Sequence, residues 1–344
     1  MYSPDGAHLK MLAKKPLMAY DETRDFATQK EEITAKLMEL FGDMPDKIVD
    51  PKMQIEQVVE GDDYTEYRFN FYTEEDVQAI CRLRIPKVKK DKYPLVICLQ
   101  GHGKGMHRSF GEIKYPDFGE GPEDGDRDVG NQAIERGYAA LAIDQRGMGE
   151  RRTMLDIDPN DADDGETRCR LTSNTALLLG RTIIGERCWD VSRALDVALA
   201  NWPVLDGDKI ICTGNSGGGT ATFYAAAFDK RIKVAMPCCS VCTWKHSIAA
   251  MIHCECNYIP GLGKYMDMGD IAAAIAPRKL IIINGRHDPI FLHEGVVETF
   301  ETVKKIYKAA GVPDNCAMVT GEGGHRYYKD IAWAAFDKMG GVEE

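Results

Sequence analysis

Two hydrophobic rhythms divide the chain. Between residues 64 and 85 apolar and polar positions alternate: Tyr67, Phe69 and Phe71 are separated by Arg68 and Asn70, and Val77, Ala79, Cys81, Leu83 and Ile85 by mostly polar neighbours. A period of two predicts half-buried antiparallel strands. From Tyr93 onward the runs become continuously apolar: PLVICLQ (94–100), YAALAID (138–144), KIICTGN (209–215), KVAMPCC (233–239), KLIIING (279–285) and CAMVTG (316–321). Strands apolar on both faces must be covered on both faces. The intervening chain carries helical spacing, with Cys188, Val191, Leu195 and Leu199 in 186–200 and Val297, Phe300, Lys304 and Tyr307 in 294–309. An α/β fold follows: a mainly parallel central sheet with helices on both faces and antiparallel leading strands.

The first element predicted is a helix over 28–41. Thr28 and Glu31 have capping-box spacing, Ile33, Leu37, Leu40 and Phe41 share a face, and Gly42 stops it. Asp50-Pro51 then separates a helical extension (1–50) from one catalytic domain (51–344). Residues 107–130, rich in Gly, Asp and Glu, read as an irregular surface loop. The stretches near 146–180 and 240–275 read as cap-like insertions at the edge of the sheet. No internal repeat is present.

Composition narrows the partners. A net charge of -11 argues against general binding to nucleic acid or anionic membranes, which recruit clustered Lys and Arg. The one basic run, 87–92, reads as a solvated turn. Neither a signal-peptide core nor an apolar stretch of membrane-spanning length is seen, so a cytoplasmic location is expected. There the eleven cysteines are expected to be free thiols. Self-association is left open.

Candidate chemistry begins at Gly214-Asn215-Ser216-Gly217-Gly218, a G-x-S-x-G pattern between an apolar strand and a helix starting near Thr220. A sharp strand-to-helix turn there lifts the central side chain above the sheet, and flanking glycines avoid clashes with neighbouring chain. A serine hydroxyl attacks only when a histidine takes its proton and an acid orients that histidine. In this arrangement the chain order is serine, acid, histidine. Asp288 follows KLIIING and His325 follows the last strand through Gly321-Glu322-Gly323-Gly324. Glu294 and Asp270 are rival acids; His246, His253, His287 and His293 are less well placed bases. Asp144 ends a core strand but precedes the serine, so it reads as structural, paired with Arg146. The oxyanion donors expected are the backbone N–H of Gly217 and that of Lys104, with Gly103 as the alternative. No cofactor is needed.

His102 reads as a loop-shaping residue rather than a metal ligand. Cys238, Cys239, Cys242, His246, His253, Cys254 and Cys256 crowd one stretch, but matched C-x-x-C pairs are lacking and Cys254-x-Cys256 is tight. Packing, with no metal, is the expectation. Met148, Trp244 and Tyr258 are candidate walls of the substrate pocket.

His102-Gly103, Asp144-Gln145-Arg146-Gly147, GNSGGG (214–219), HCECNYIPG (253–261) and GEGGH (321–325) together give a resemblance. The chain resembles acetyl-xylan-esterase-like hydrolases of the dienelactone-hydrolase group, within the α/β-hydrolase superfamily. The resemblance implies hydrolysis of short-chain esters, acetyl above all, with an acetylated oligosaccharide as a substrate class. Departures occur at Met148, Gly217 and Arg326, where the better-known deacetylases have Gln, Gln and Glu. A cysteine nucleophile, as in dienelactone hydrolases proper, is argued against by Ser216. The alternatives are a peptidase or amidase using the same triad, and a non-catalytic binding protein on this scaffold.

Overall fold

The computed structural model describes residues 4–103, 105–114, 125–152 and 169–342. Among them is a nine-stranded sheet in the order β1-β2-β3-β5-β4-β6-β7-β8-β9. Its strands are β1 (Gln54–Glu60), β2 (Tyr64–Glu74), β3 (Val77–Pro86), β4 (Tyr93–Leu99), β5 (Ala139–Ile143), β6 (Leu205–Asn215), β7 (Ile232–Cys238), β8 (Lys279–Gly285) and β9 (Cys316–Gly321). β1, β2 and β3 are antiparallel and join β5 antiparallel; β5, β4, β6, β7, β8 and β9 run parallel. Both rhythms in the sequence thus correspond to the predicted strand types. β1 is the element the rhythm did not predict: every residue in it is exposed.

Alternate residues of the parallel strands face opposite layers. Leu95, Ile97, Leu99, Ile210 and Cys212 enter one core, whereas Val96, Cys98 and Ile211 enter the other. Each such aliphatic side chain contributes about 1.5–3 kcal/mol when fully buried. Helices α5 (Ile183–Asn201), α6 (Gly217–Phe228), α8 (Met268–Ile275) and α9 (His293–Ala309) cover the first face, and α3 (Val129–Glu135) and α10 (Lys329–Lys338) the second. The remaining helices are α1 (Asp5–Leu12), α2 (Phe26–Leu40), α4 (Cys169–Leu178) and α7 (Leu262–Tyr265).

Helix α2 is the one expected over 28–41, but its cap is Asp25, whose carboxylate accepts the Thr28 amide at 2.8 Å. Ile33, Leu37 and Phe41 sit in the same core as β4 and β6, so this segment completes the sheet's cover. The expected surface loop after His107 is also partly internal. His107, Ser109 and Phe110 are buried in a 3-10 turn, Met106–Phe110.

Asp144 does not pair with Arg146. Its carboxylate accepts the backbone amides of Met106 at 2.5 Å and Glu150 at 2.8 Å, pinning two loops to the end of β5. Arg146 turns away and forms a bidentate pair with Asp190 of α5, both bonds 2.8 Å, while also meeting Glu74 and Glu186. A buried guanidinium takes the partner that offers two aligned oxygens, and the Asp144 oxygens are already occupied.

Candidate active site

Strand order creates the site. From β4 the chain leads to β5 on one side, while β6 lies on the other, so the carboxyl ends of β4 and β6 flank a switch point. Loops leaving such neighbours diverge and open a crevice. Gln100-Gly101-His102-Gly103 leaves β4 there, and Ser216 leaves β6.

Ser216 has φ 58° and ψ -123°, a left-handed backbone rarely adopted by a residue with a side chain. Its amide donates to Cys238 O at 2.9 Å and its carbonyl accepts from Thr220 N at 2.8 Å, which holds the turn from both sides. The flanking glycines are sterically required. A Cβ at Gly218 would stand 1.9 Å from Leu99 O, and one at Gly214 would stand 2.3 Å from the same atom. Helix α6 starts at Gly217, so the Gly217 N–H belongs to a first turn with no intrahelical acceptor.

Asp288 and His325 come from the ends of β8 and β9. The turns carrying them are laced together: Arg286 N donates to Gly321 O at 2.8 Å and His287 N to Gly323 O at 2.9 Å. Asp288 Oδ1 accepts the amides of Ile290 and Phe291 at 2.8 and 3.1 Å, and Oδ2 lies 2.9 Å from His325 Nδ1. An ionised carboxylate only accepts, so Nδ1 carries the proton and Nε2 is left as the basic nitrogen. The Phe291 ring stacks on His325 with 6.1 Å between centroids, and Arg127 donates to the His325 carbonyl at 3.1 Å.

The electrostatics suit a base held by an acid. Burial works against the charge on Asp288, but His325 and the two amides outweigh it and hold the carboxyl below its ordinary range. Burial likewise opposes the His325 cation, yet Asp288 and Cys239 overcome it and push the imidazole up to about 9. The sequence alone points to packing for Cys239. Here its sulfur, an Asp288 oxygen and a His325 nitrogen lie within 4.8 Å of one another. Its thiol is brought down to about 7, chiefly by Cys238, against burial and with help from His325. The signal available in the sequence was its position just past β7, between the strands that carry Ser216 and Asp288.

Ser216 and His325 line one cavity of about 160 Å³ together with Gln100, Arg108, Arg127 and Asn215. Among the described residues Met148, Trp244 and Tyr258 do not line it. Met148 is fully buried, Trp244 donates to Met266 O at 2.8 Å, and Tyr258 donates to Ile248 O at 3.1 Å. The latter two border a separate groove. Lys104 lies outside the described residues, while Gly103 is buried against Arg108. The competing groups are engaged elsewhere: Asp270 closes the capping box of α8, His293 meets Asn284 at 2.8 Å, His253 meets Ser247 at 3.2 Å, and His246 meets Thr243 at 2.7 Å. Glu294 is an exposed neighbour of His246.

A mainly parallel sheet with a strained serine turn at its switch point, and an acid and histidine on later strand ends, defines an α/β-hydrolase. The chain belongs to the Abhydrolase family, whose model matches residues 3–329. It is 29% identical over 244 residues to "Putative hydrolase YtaP" of Bacillus subtilis (strain 168), covering 70% of this chain and 75% of that protein. Its fold is similar to that of a putative acetyl xylan esterase from Bacteroides fragilis NCTC 9343 (TM-score 0.78, 19% identity, 96% of this chain and 83% of that one). It is also similar to a glucuronoyl esterase from Solibacter usitatus (TM-score 0.63, 13% identity, 96% of each chain). No helix among the described residues is long and apolar enough to cross a membrane.

Proposed function

We propose that this protein is a serine carboxylesterase acting on short-chain esters, acetyl foremost, of polar alcohols such as carbohydrates. The observation that carries the reading is the Asp288–His325 hydrogen bond at 2.9 Å in a cavity shared with the strained Ser216. Ser216 Oγ attacks the ester carbonyl as His325 Nε2 takes its proton, and Asp288 stabilises the imidazolium. The Gly217 amide, with a second from the loop after β4 (Lys104 or Gly103), holds the tetrahedral oxyanion. The alcohol leaves with the proton from His325, and water cleaves the acyl-enzyme by the same steps. The esterase names among the structural relatives support this chemistry. The small cavity, whose lining includes Gln100, Arg108, Arg127 and Asn215, supports a short, polar substrate over a long acyl chain.

The test is covalent labelling of Ser216 by a fluorophosphonate, beside turnover of aryl acetates, longer aryl esters, acetylated oligosaccharides and aminoacyl amides. Labelling with preferred cleavage of acetyl esters is expected. Absence of labelling would point to a binding protein, and faster amide cleavage to a peptidase.

The acid limb of kcat/KM gives a second prediction. Only neutral imidazole accepts the serine proton, and the raised His325 value keeps it protonated to higher pH. Rate should therefore climb with pH toward about 9. Asp288 and Cys239 are the groups that hold it there, so Cys239→Ala should move the limb to lower pH. A limb unmoved by that substitution would exclude the coupling.

A further inference from the structure

We propose that His102, Cys169, Cys254 and Cys256 form a zinc site that ties the loop following β4 to helix α4 and to the segment before α7. The donor atoms, one imidazole nitrogen and three sulfurs, all lie within 4.8 Å of one another. Cys254 Sγ is 3.0 Å from Cys169 Sγ, and Cys256 Sγ is 3.2 Å from His102 Nε2. In a tetrahedral zinc centre with Zn–S near 2.3 Å and Zn–N near 2.0 Å, donors stand about 3.5–3.8 Å apart. Small rotations of these side chains reach that geometry. The 3-10 turn Glu255–Asn257 is what makes Cys254-x-Cys256 usable, since it brings both sulfurs to one side.

Ordinary packing does not account for the group. Cys81, Cys98, Cys188 and Cys212 show what packing looks like here, each buried in one of the large apolar cores. The three proposed ligands lie outside both cores, in a small group with Ile183, where their sulfurs meet one another and an imidazole. Arg187 supplies an independent observation. It is fully buried, donates to Arg146 O at 2.7 Å and to Cys169 Sγ at 3.1 Å, and its Nη1 has no hydrogen-bond partner. Among the described residues no carboxylate pairs with it. A buried guanidinium demands negative charge nearby, and the sulfurs are the groups able to provide it. Three thiolates around one divalent ion leave a net single negative charge, which Arg187 balances. Binding releases the thiol protons and involves no change of oxidation state.

Soft sulfur donors with one imidazole select zinc over magnesium or calcium, and four protein ligands leave no open position for substrate. The ion is therefore structural, and its consequence falls on His102. That residue lines the Ser216 cavity, and its ring packs so closely that a Cβ on Gly217 would stand 2.7 Å from it. Zinc would fix the loop expected to supply the second oxyanion donor. This last step rests on the esterase reading; the metal site itself does not.

Metal analysis of the full chain, purified without chelator, tests the site. About one zinc per chain is expected. Exchange with cobalt(II) should give thiolate-to-cobalt charge-transfer and tetrahedral d–d absorption. Cys254→Ser and Cys256→Ser should lower zinc content at least about tenfold. Ser216→Ala should keep the zinc while losing fluorophosphonate labelling, which separates this result from failure of the esterase reading. Wild-type chain that neither carries zinc nor takes up an equivalent on dialysis would overturn the site. So would a different metal in stoichiometric amount, or a Cys169–Cys254 disulfide found by peptide mass spectrometry. In zinc-stripped chain, Ser216 labelling should slow at least about tenfold; an unchanged rate would overturn the link to the oxyanion loop.

Discussion

If Ser216 is the proposed nucleophile, Ser216→Ala is expected to lower kcat for a short-chain aryl ester by about 10⁴–10⁶-fold, since a nucleophile and its base act as a unit. Steady-state kinetics beside thermal unfolding would check it, and activity within tenfold of wild type would reject the triad. A companion substitution separates chemistry from folding. Ser216 sits at φ 58°, and such backbone strain costs about 1–3 kcal/mol. Alanine inherits that conformation and leaves stability nearly unchanged. Glycine removes the strain and forfeits only about 0.4–1 kcal/mol through the freer unfolded chain. Ser216→Gly is therefore expected to be inactive yet to unfold at a higher temperature. A lower temperature would mean that the turn stores no strain.

Arg146→Met is expected to destabilise the fold by up to about 3–5 kcal/mol, since it removes one of the two cations that neutralise the buried Asp190 carboxylate. Asp190 is fully buried, and its remaining cation, Arg151, reaches one oxygen at 2.6 Å. Burial alone would raise the Asp190 pKa, but Arg151 and Arg146 overcome this and hold the carboxyl far below the ordinary range. A depressed value gives stabilisation that is complete above the unfolded pKa, near 4, and lost as pH falls through the folded one. Wild type should thus retain this contribution down to the carboxylate range, while Arg146→Met is weakened already at neutral pH. Denaturant unfolding across pH measures both. A loss below about 1 kcal/mol would show that the pair's desolvation cancels its attraction.

Much of the architecture is legible without coordinates, for identifiable reasons. Strands covered on both faces leave continuous apolar runs, so β4 to β8 are marked by composition alone, and the half-buried edge strand β9 keeps the apolar run CAMV. β1 carries no such mark because every one of its residues faces water. The sequence offers both Asp25 and Thr28 as good caps for α2, and tertiary packing extends the helix to Phe26, which selects Asp25. Ser216, Asp288 and His325 were singled out because each sits just past a strand. The cysteine cluster was not resolved in the same way. Cys256 meets a histidine 154 positions away and Cys254 a cysteine 85 positions away, separations that no local spacing rule spans. Cys239 belongs to the same crowded stretch yet lies beside His325, so one run of sequence serves two different places.

The glycine contacts at the turn after β6 also set what can vary over evolutionary time. Gly214 and Gly218 press against a carbonyl of β4, so drift at either position must be answered by movement of a central strand. Relatives that carry a larger residue at Gly214 or Gly218 are therefore expected to show a compensating change around Leu99, so these positions should covary.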